Sequence, residues 1–399
     1  MAVKIAVGVS ESFDPVEAFS EAAQEAARRL DAPCDLCVVF AGAPHLPLSK
    51  SILSTVHERL APSSLIGCGA GGVVGAGREI EEGPGAVVWA ASMPDAQIST
   101  HHFRIERTED RLELIGMPTD LSETPPAADS KRSSRRDRCL IVLADPYSFS
   151  TEALLAALNE SRPDLPVLGG LASAAVAGGG ALFRDGDVLA EGAVACSLSG
   201  VAVIPCVSQG AAPVGPEMTI TAAEGNVVEE LASRPAIERL SEAIGSLPDR
   251  EQELARGGVM LGMVIDENKP EYVRGDFLIR PILGADTDAG SIAIGEPVRV
   301  GQTVRLHVRD ATSADEDLRE ALASQARALP SAGAAGALLF TCNGRGSHMF
   351  NLPDHDAAAL QDALGVPAGG FFCAGEIGPV GGRNFLHGFT ATMAVFPAG

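Results

Sequence analysis

The segment GALLFTCNGRG (Gly336–Gly346) is followed by DHDAAALQDALG (354–365), VPAGGFFCAGEIG (366–378) and FLHGFTATMAVF (385–396). The apolar run ALLFTC is typical of a strand covered on both faces, whereas the spacing of apolar residues in 354–365 is helical. Glycine-rich turns end the first and the third of these segments. The sequence therefore predicts strand, helix, strand, glycine-rich turn and strand, in that order.

The same order of elements occurs twice more, earlier in the chain. The first copy reads DLCVVFAG (35–42), SILSTVHERLAP (51–62), SSLIGCGAGGVV (63–74) and GAVVWAASMP (85–94). The second copy reads RCLIVLADPYSF (138–149), STEALLAALNESRP (150–163), DLPVLGGLASA (164–174), a hairpin around RDGD (184–187), and EGAVACSLSG (191–200). An Asp-Gly pair is a strong hairpin signal. We therefore predict an α/β fold of repeated β-α-β plus β-hairpin units, with mixed sheets flanked by helices.

Polar residues lie among the glycines of the predicted turns, and glycine lets a backbone or a ligand approach closely. Equivalent turns CGAGG, GGLAS and CAGEIG end the central strands, and ligands of open α/β sheets bind beyond such strand ends. The residues that we predict to bind a ligand are Cys68, Gly69, Asn343, Arg345, Cys373, Glu376, Arg383, Asn384 and His387. We assign no catalytic residue and no metal ligand.

Arg345 is the first candidate, because a guanidinium beside two glycines can pair bidentately with a carboxylate. That carboxylate belongs either to a ligand or to the protein, with Glu376 and Asp310 as internal candidates. Asn343 and Asn384 would supply hydrogen bonds. Glu376 would bind an ammonium group or orient Arg345.

Three other chemistries compete with this hypothesis. A cysteine nucleophile, Cys342 or Cys373 with His387 as the base, needs an oriented base that the sequence does not define. The acids of PDHD (353–356) precede a helix, where capping is a simpler explanation than a metal site. GCGAGGVVGAG lacks the helix that follows a dinucleotide loop, and no lysine of a phosphate-binding loop follows it. We therefore predict no cofactor.

The composition of the 399 residues limits the function classes further. With 52 acidic and 30 basic residues, the formal charge of −22 disfavours nucleic acids and anionic membranes as partners. The N-terminus lacks the pattern of a signal peptide, and glycines and prolines interrupt the uncharged stretch from Gly192 to Pro216. We therefore expect a cytoplasmic protein, in which the eight cysteines are reduced thiols.

The motifs CNGRG, GEIGP, GGRN and LHGFT closely resemble the C-terminal part of the FIST family. LIGCGAGGVV (Leu65–Val74) resembles the N-terminal signature of that family, and further matching segments follow in order from Leu143 to Leu318. The resemblance implies a FIST N-terminal domain at 1–250, made of two related units joined by a linker at about 118–138. It implies a FIST C-terminal domain at 251–399.

The same resemblance implies an intracellular sensory protein that binds a small ligand. We expect a cytosolic signal-transduction protein that binds a small polar metabolite such as an amino acid and acts on a downstream signalling protein. Two alternatives stay open: an enzyme that uses the same cleft with a cysteine nucleophile, and a protein-interaction scaffold. An enzyme needs a nucleophile with a perturbed pKa, a sensor needs a polar pocket, and a scaffold needs an exposed apolar patch.

Overall fold

The computed structural model describes residues 2–107, 112–118, 121, 138–174 and 181–399. The predicted linker at about 118–138 lies almost wholly outside these residues. The helices are α1 (Pro15–Leu30), α2 (Ser49–Leu60), α3 (Thr151–Ser161), α4 (Ala236–Gly245), α5 (Asp249–Arg256), α6 (Ala311–Ala328), α7 (Ser347–Phe350) and α8 (His355–Leu364), with a 3-10 helix at Ala43–Leu48.

The strands are numbered in chain order. The first half contains β1 (Lys4–Ser10), β2 (Leu36–Gly42), β3 (Ser64–Ala70), β4 (Val73–Gly75), β5 (Arg78–Ile80), β6 (Ala86–Ser92), β7 (Gln97–Arg107), β8 (Leu112–Ile115), β9 (Arg138–Ala144), β10 (Val167–Leu171), β11 (Leu182–Arg184), β12 (Asp187–Leu189) and β13 (Ala193–Ser199). The second half contains β14 (Ile204–Gln209), β15 (Ala211–Glu224), β16 (Val227–Leu231), β17 (Arg234–Pro235), β18 (Val259–Val264), β19 (Phe277–Asp286), β20 (Ser291–Ile294), β21 (Thr303–Arg309), β22 (Ala334–Cys342), β23 (Ala368–Cys373), β24 (Glu376–Val380), β25 (Arg383–His387) and β26 (Thr390–Pro397).

Three sheets share one arrangement of strands, and the predicted α/β class with mixed sheets flanked by helices is confirmed. Their strand orders are β1-β6-β2-β3-β11-β12, β8-β7-β13-β9-β10-β24-β25 and β14-β26-β22-β23-β4-β5. In each sheet a parallel β-α-β pair lies at the centre: β2 with β3, β9 with β10, and β22 with β23. An antiparallel strand borders the first member of each pair: β6, β13 and β26.

Each sheet is extended by a hairpin that comes from another copy of the unit. The hairpin β4–β5 of the first copy pairs with β23 of the third, and β11–β12 of the second pairs with β3 of the first. The hairpin β24–β25 of the third copy pairs with β10 of the second. The three hairpins are thus exchanged in a cycle, and we call this arrangement the hairpin ring.

The second strand of each parallel pair has a glycine at one register position: Gly67, Gly169 and Gly370. A Cβ atom there would lie 2.3, 1.8 and 1.7 Å from the carbonyl oxygen of the paired residue, which is Val39, Val142 and Leu339 respectively. Real Cβ atoms do not approach an oxygen so closely. Glycine is therefore required by the close approach of the two strands.

The chain divides into two compact units, residues 1–207 with 318–399 and residues 208–317. The predicted boundary near residue 250 separates two domains of the sequence. The division into compact units does not test that boundary, which stays a prediction. In the smaller unit the pairings β15-β21-β18-β19-β20-β16 close on themselves, because β15 also pairs with β16. These six antiparallel strands therefore form a closed barrel, and β17 pairs with β16 beside it.

Valine, leucine, isoleucine and alanine build most of the core of the larger unit. The indole of Trp89, which is fully buried, donates a hydrogen bond of 3.0 Å to the Ala337 carbonyl oxygen and packs on Phe396. Within the described part of the chain, no helix is long and apolar enough to cross a membrane.

Candidate functional site

Arg345 lies in the turn that follows β22, and its side chain is fully buried. Gly346, next in the turn, has φ 91°, a conformation that favours glycine. The Arg345 Nε and Nη2 atoms donate to the two carboxylate oxygens of Asp356 at 2.7 and 2.8 Å. This bidentate geometry matches the prediction for Arg345, but the partner is neither Glu376 nor Asp310.

Asp356 lies in the first turn of α8, where we expected it to serve the helix terminus. Its carboxylate instead accepts hydrogen bonds from Arg345, from the Thr341 hydroxyl at 2.6 Å and from His355 Nδ1 at 2.9 Å. Although burial opposes it, the Arg345 guanidinium holds the pKa of Asp356 below its usual range. The buried ion pair therefore joins the turn after β22 to helix α8.

The N-terminus of α8 is capped by Glu79 of strand β5, and the predicted cap by Asp354 is wrong. Glu79 Oε1 accepts from the backbone N–H groups of Asp356 and Ala357, both at 2.9 Å. The Asp354 carboxylate makes no capping bond and accepts from Glu79 N at 2.6 Å. Burial, with the nearby Asp356 charge, raises the pKa of Glu79 to about 7.

Glu81 of the same hairpin segment binds the start of α7. Its carboxylate oxygens accept from Ser347 N at 2.7 Å and from the Ser347 hydroxyl at 3.0 Å. Sequence reasoning missed both Glu79 and Glu81. These acids reach the turn of Arg345 only through the hairpin ring, and nothing in the local sequence indicates that long-range pairing.

Glu376 begins β24 and is fully buried. Its Oε2 atom accepts from Thr390 N at 3.1 Å and from the Thr390 hydroxyl at 2.9 Å. Phe389, just before Thr390, has φ 61°, a left-handed conformation that is unusual for a bulky residue. Burial raises the pKa of Glu376 to about 8, so its carboxyl is mostly protonated at pH 7.

Eleven buried side-chain polar atoms have no hydrogen-bond partner among the described residues, and two of them are Arg345 Nη1 and Glu376 Oε1. The two side chains and the Cys342 thiol are close enough to shift one another's pKa values. Buried polar groups are almost always hydrogen-bonded, so two such atoms in one neighbourhood require an explanation. We call Cys342, Arg345, Glu376 and Thr390 the Arg345–Glu376 cluster.

Three predicted cysteines, Cys342, Cys373 and Cys68, lie in or near this cluster. Cys342 and Cys373 are register partners at the ends of the parallel strands β22 and β23, and Cys68 lies close enough to Cys373 to raise the pKa of its thiol. Burial raises the pKa of each of these three thiols well above its usual value. A thiol in this state is a poor nucleophile. All eight cysteines of the chain are free and buried.

The remaining histidine, arginine and asparagine candidates do not share one place. His387 is the register partner of Glu376, and its Nε2 atom lies 3.0 Å from the Gly378 carbonyl oxygen. Arg383 is exposed at the opposite end of the β24–β25 hairpin. Its register partner, Val380, is four residues, or roughly 13 Å, along β24 from Glu376. Asn343 is exposed in the turn before Arg345.

Asn384 joins the exchanged hairpin to the second copy. Its Oδ1 accepts from Val167 N at 2.8 Å, and its Nδ2 donates to the Leu165 carbonyl oxygen at 2.9 Å. Asn159 Oδ1 accepts from Asn384 N at 2.8 Å. These three bonds give Asn384 a structural role in anchoring the hairpin. In the hairpin of the second copy, Asp185 Oδ1 likewise accepts from Leu65 N at 3.0 Å.

Gly69 also has a packing role, since a Cβ at this position would lie 2.8 Å from the Leu46 side chain. Two open cavities of about 520 and 430 Å³ occur elsewhere in the larger unit, and no predicted ligand-binding residue lines either of them. Among the residues that the structure describes, no group of three histidines, cysteines or acids could hold a metal ion.

The raised pKa values of Glu79 and Glu376 predict that stability falls with increasing pH. In the folded protein each carboxyl keeps its proton at pH values above the ordinary pKa of about 4.5. The free energy of unfolding therefore declines as the pH rises from about 4.5, until the pH passes the folded-state pKa of about 7 for Glu79 or about 8 for Glu376. Between pH 6 and pH 9 we expect losses of about 1 kcal/mol from Glu79 and about 3 kcal/mol from Glu376. Urea unfolding at constant ionic strength measures this decline.

The variants Glu79→Gln and Glu376→Gln separate the two contributions. Each should flatten the pH dependence by its own share, because glutamine does not titrate. Glu160→Gln on the exposed surface of α3 is the matched control and should leave the profile unchanged. A decline that persists undiminished in both site variants would contradict the assignment.

Known protein families and proteins match almost the whole chain. The model of the FIST N domain matches residues 35–234, and that of the FIST C domain matches residues 236–379. Uncharacterized proteins of Mycobacterium tuberculosis H37Rv and Mycobacterium bovis are each 42% identical to the chain over 397 and 398 residues. These alignments cover 99% of the chain and 100% and 99% of the two relatives. The chain therefore belongs to the FIST family, whose domains are sensory domains of signal transduction.

Proposed function

We propose that the protein is a cytoplasmic sensor that binds a small polar metabolite at the Arg345–Glu376 cluster. The observation that carries this proposal is the pair of unpartnered atoms, Arg345 Nη1 and Glu376 Oε1, in two fully buried side chains. Such groups cost about 1 to 3 kcal/mol each when they stay unsatisfied. A polar ligand that bonds to both would recover that free energy, and an amino acid is one such molecule.

The turn that carries Arg345 is suited to report ligand binding. Arg345 is bonded to α8 through Asp356, and the same region is held by Glu79 and Glu81 of the exchanged hairpin. A ligand that bonds to Arg345 therefore contacts a turn whose surroundings are hydrogen-bonded to residues distant in the sequence. We propose that a downstream signalling protein reads this region. Asn343, exposed beside Arg345, is a candidate contact for the ligand during entry.

The two alternative functions receive less support. A cysteine enzyme would need a thiolate, whereas burial raises the pKa of the Cys342 and Cys373 thiols. A scaffold would not require buried polar atoms without partners. Eight free cysteines are usual for a protein of a reducing compartment, which supports the cytoplasmic location.

We also propose that the three copies arose by internal duplication. The common strand order, the cyclic exchange of hairpins and the glycines Gly67, Gly169 and Gly370 at one register position support this history. On this proposal the boundary near residue 250 separates two copies, which form the N-terminal domain, from the third.

Thermal-shift screening of the full chain against amino acids, organic acids and neutral polar metabolites tests the function. A ligand present at 100 times its Kd should stabilise the native state by about 2.7 kcal/mol. The stabilisation should be lost in Glu376→Leu, while Glu160→Gln should respond like the wild type. Circular dichroism verifies that the variants are folded. Binding that persists in Glu376→Leu would place the ligand elsewhere.

A further inference from the structure

The bonds already made within the Arg345–Glu376 cluster limit the chemistry of a ligand. This inference rests on the proposed function and narrows it. We infer that the cluster accepts molecules that present oxygen acceptors, such as a carboxylate or an amide carbonyl, and that it excludes molecules that offer only an ammonium group. The ligand would be held by two donors, Arg345 Nη1–H and a proton on Glu376 Oε1.

The first donor follows from the ion pair. Asp356 occupies Nε and Nη2 of Arg345 with both of its oxygens and balances the guanidinium charge. What remains is Nη1, which is buried and has no partner among the described residues. A guanidinium nitrogen can only donate. A ligand atom beside Nη1 must therefore be an acceptor.

The second donor follows from the bonds to Glu376. Both hydrogen bonds from Thr390, through its N–H and its hydroxyl, end on Oε2. The Cys342 thiol also interacts with this carboxyl. Among the described residues Oε1 accepts no hydrogen bond, so a proton on the carboxyl is best placed on that atom. Burial favours this protonated form, consistent with the pKa of Glu376 of about 8. Oε1–H then donates, and an ammonium group would face two donors.

The other titratable groups near Glu376 are Arg345, the Cys342 and Cys373 thiols and His387. Arg345 is balanced by Asp356, and burial keeps the Cys342 and Cys373 thiols protonated. His387, the register partner on β25, has its Nε2 atom 3.0 Å from the Gly378 carbonyl oxygen. With Glu376 neutral, the cluster and Asp356 together carry no net charge and the cluster presents two donors, so it can take either a carboxylate or a neutral carbonyl.

Three probes of nearly the same size test the inference: propionate, propionamide and propylammonium. Calorimetric titration of the full chain at constant ionic strength, from pH 6 to pH 9, measures their affinities. Propionate and propionamide should bind and propylammonium should not. Propionate affinity should be constant at low pH and fall tenfold per pH unit once Glu376 ionises above about pH 8.

Glu376→Gln removes the titration and keeps an amide donor at the same place. In this variant, propionate affinity should no longer depend on pH, whereas Glu160→Gln should keep the wild-type profile. The wild-type profile is itself a test if Glu376→Gln does not fold. Preferential binding of propylammonium, with affinity that rises with pH, would overturn the inference that the ligand must present an acceptor. It would still leave a ligand site at the cluster. Binding of none of the three probes would also overturn it, and a screen without any ligand would overturn the proposed function itself.

Discussion

Replacing Arg345 with alanine should lower the free energy of unfolding by about 3 to 5 kcal/mol. The substitution leaves Asp356, which is 2% exposed, as a buried carboxylate without the cation that balances it. The two bonds of 2.7 and 2.8 Å that join the turn to α8 are lost as well. Urea denaturation monitored by circular dichroism measures the effect.

An exposed ion pair of the same unit provides the matched control. Arg78 and Glu11 are 2.8 Å apart with side chains 59% and 48% exposed, so Arg78→Ala should cost less than about 1 kcal/mol. The double variant Arg345→Met with Asp356→Leu removes both charges and should be much closer to wild type than Arg345→Ala. Equal losses in Arg345→Ala and Arg78→Ala would show that the buried pair is not a structural link.

The second large effect is expected for Gly370→Ala. The added Cβ would lie 1.7 Å from the Leu339 carbonyl oxygen and 2.7 Å from its carbonyl carbon, so the parallel strands β22 and β23 would have to separate. Because the obstacle is backbone rather than a flexible side chain, we expect a loss of about 3 kcal/mol or more. Thermal and urea unfolding give the value.

Gly284→Ala is the control for the general cost of changing a strand glycine. Gly284 lies in β19, and a Cβ there would meet nothing within 4 Å. This variant should be neutral or slightly stabilising, since alanine restricts the unfolded chain. If Gly370→Ala were as stable as Gly284→Ala, the close approach of the two strands would not be required by the fold.

Local patterns were sufficient to predict the fold class and the family. Continuous apolar runs identified central strands such as β9 and β22, because such strands are buried on both faces in these sheets. The Asp-Gly pair at Asp185 identified the turn between β11 and β12, where Asp185 has φ 51°. These features depend on neighbours in sequence, so the sequence contains enough information to find them.

The partner of each hairpin could not be predicted in this way. Val73 pairs with Phe371, nearly 300 residues away, and no local pattern distinguishes that pairing from pairing within one copy. For the same reason the capping acid Glu79 was missed, and Asn384 was assigned to a ligand although it bonds to Val167 N of another copy.

The contacts of Arg345 were predicted in part, for a related reason. Arg345 was recognised as a guanidinium that pairs bidentately, because glycines flank it and its chemistry is fixed. Its partner Asp356 was assigned to helix capping, because an acid at the start of a helix looks the same whether or not it is buried. Whether Arg345 and Glu376 bind a ligand stays a prediction.

The hairpin ring has a consequence for how the chain is made on the ribosome. Strand β4 leaves the ribosome early but must wait for β23, and β10 must wait for β24, so the larger unit cannot complete its sheets until the third copy has been translated. Until then, unpaired strand edges are exposed to other nascent chains. The barrel at residues 208–317 contains all of the strands that pair to form it, so it can close earlier. Synthesis of this protein is therefore expected to depend on chaperones that shield strand edges.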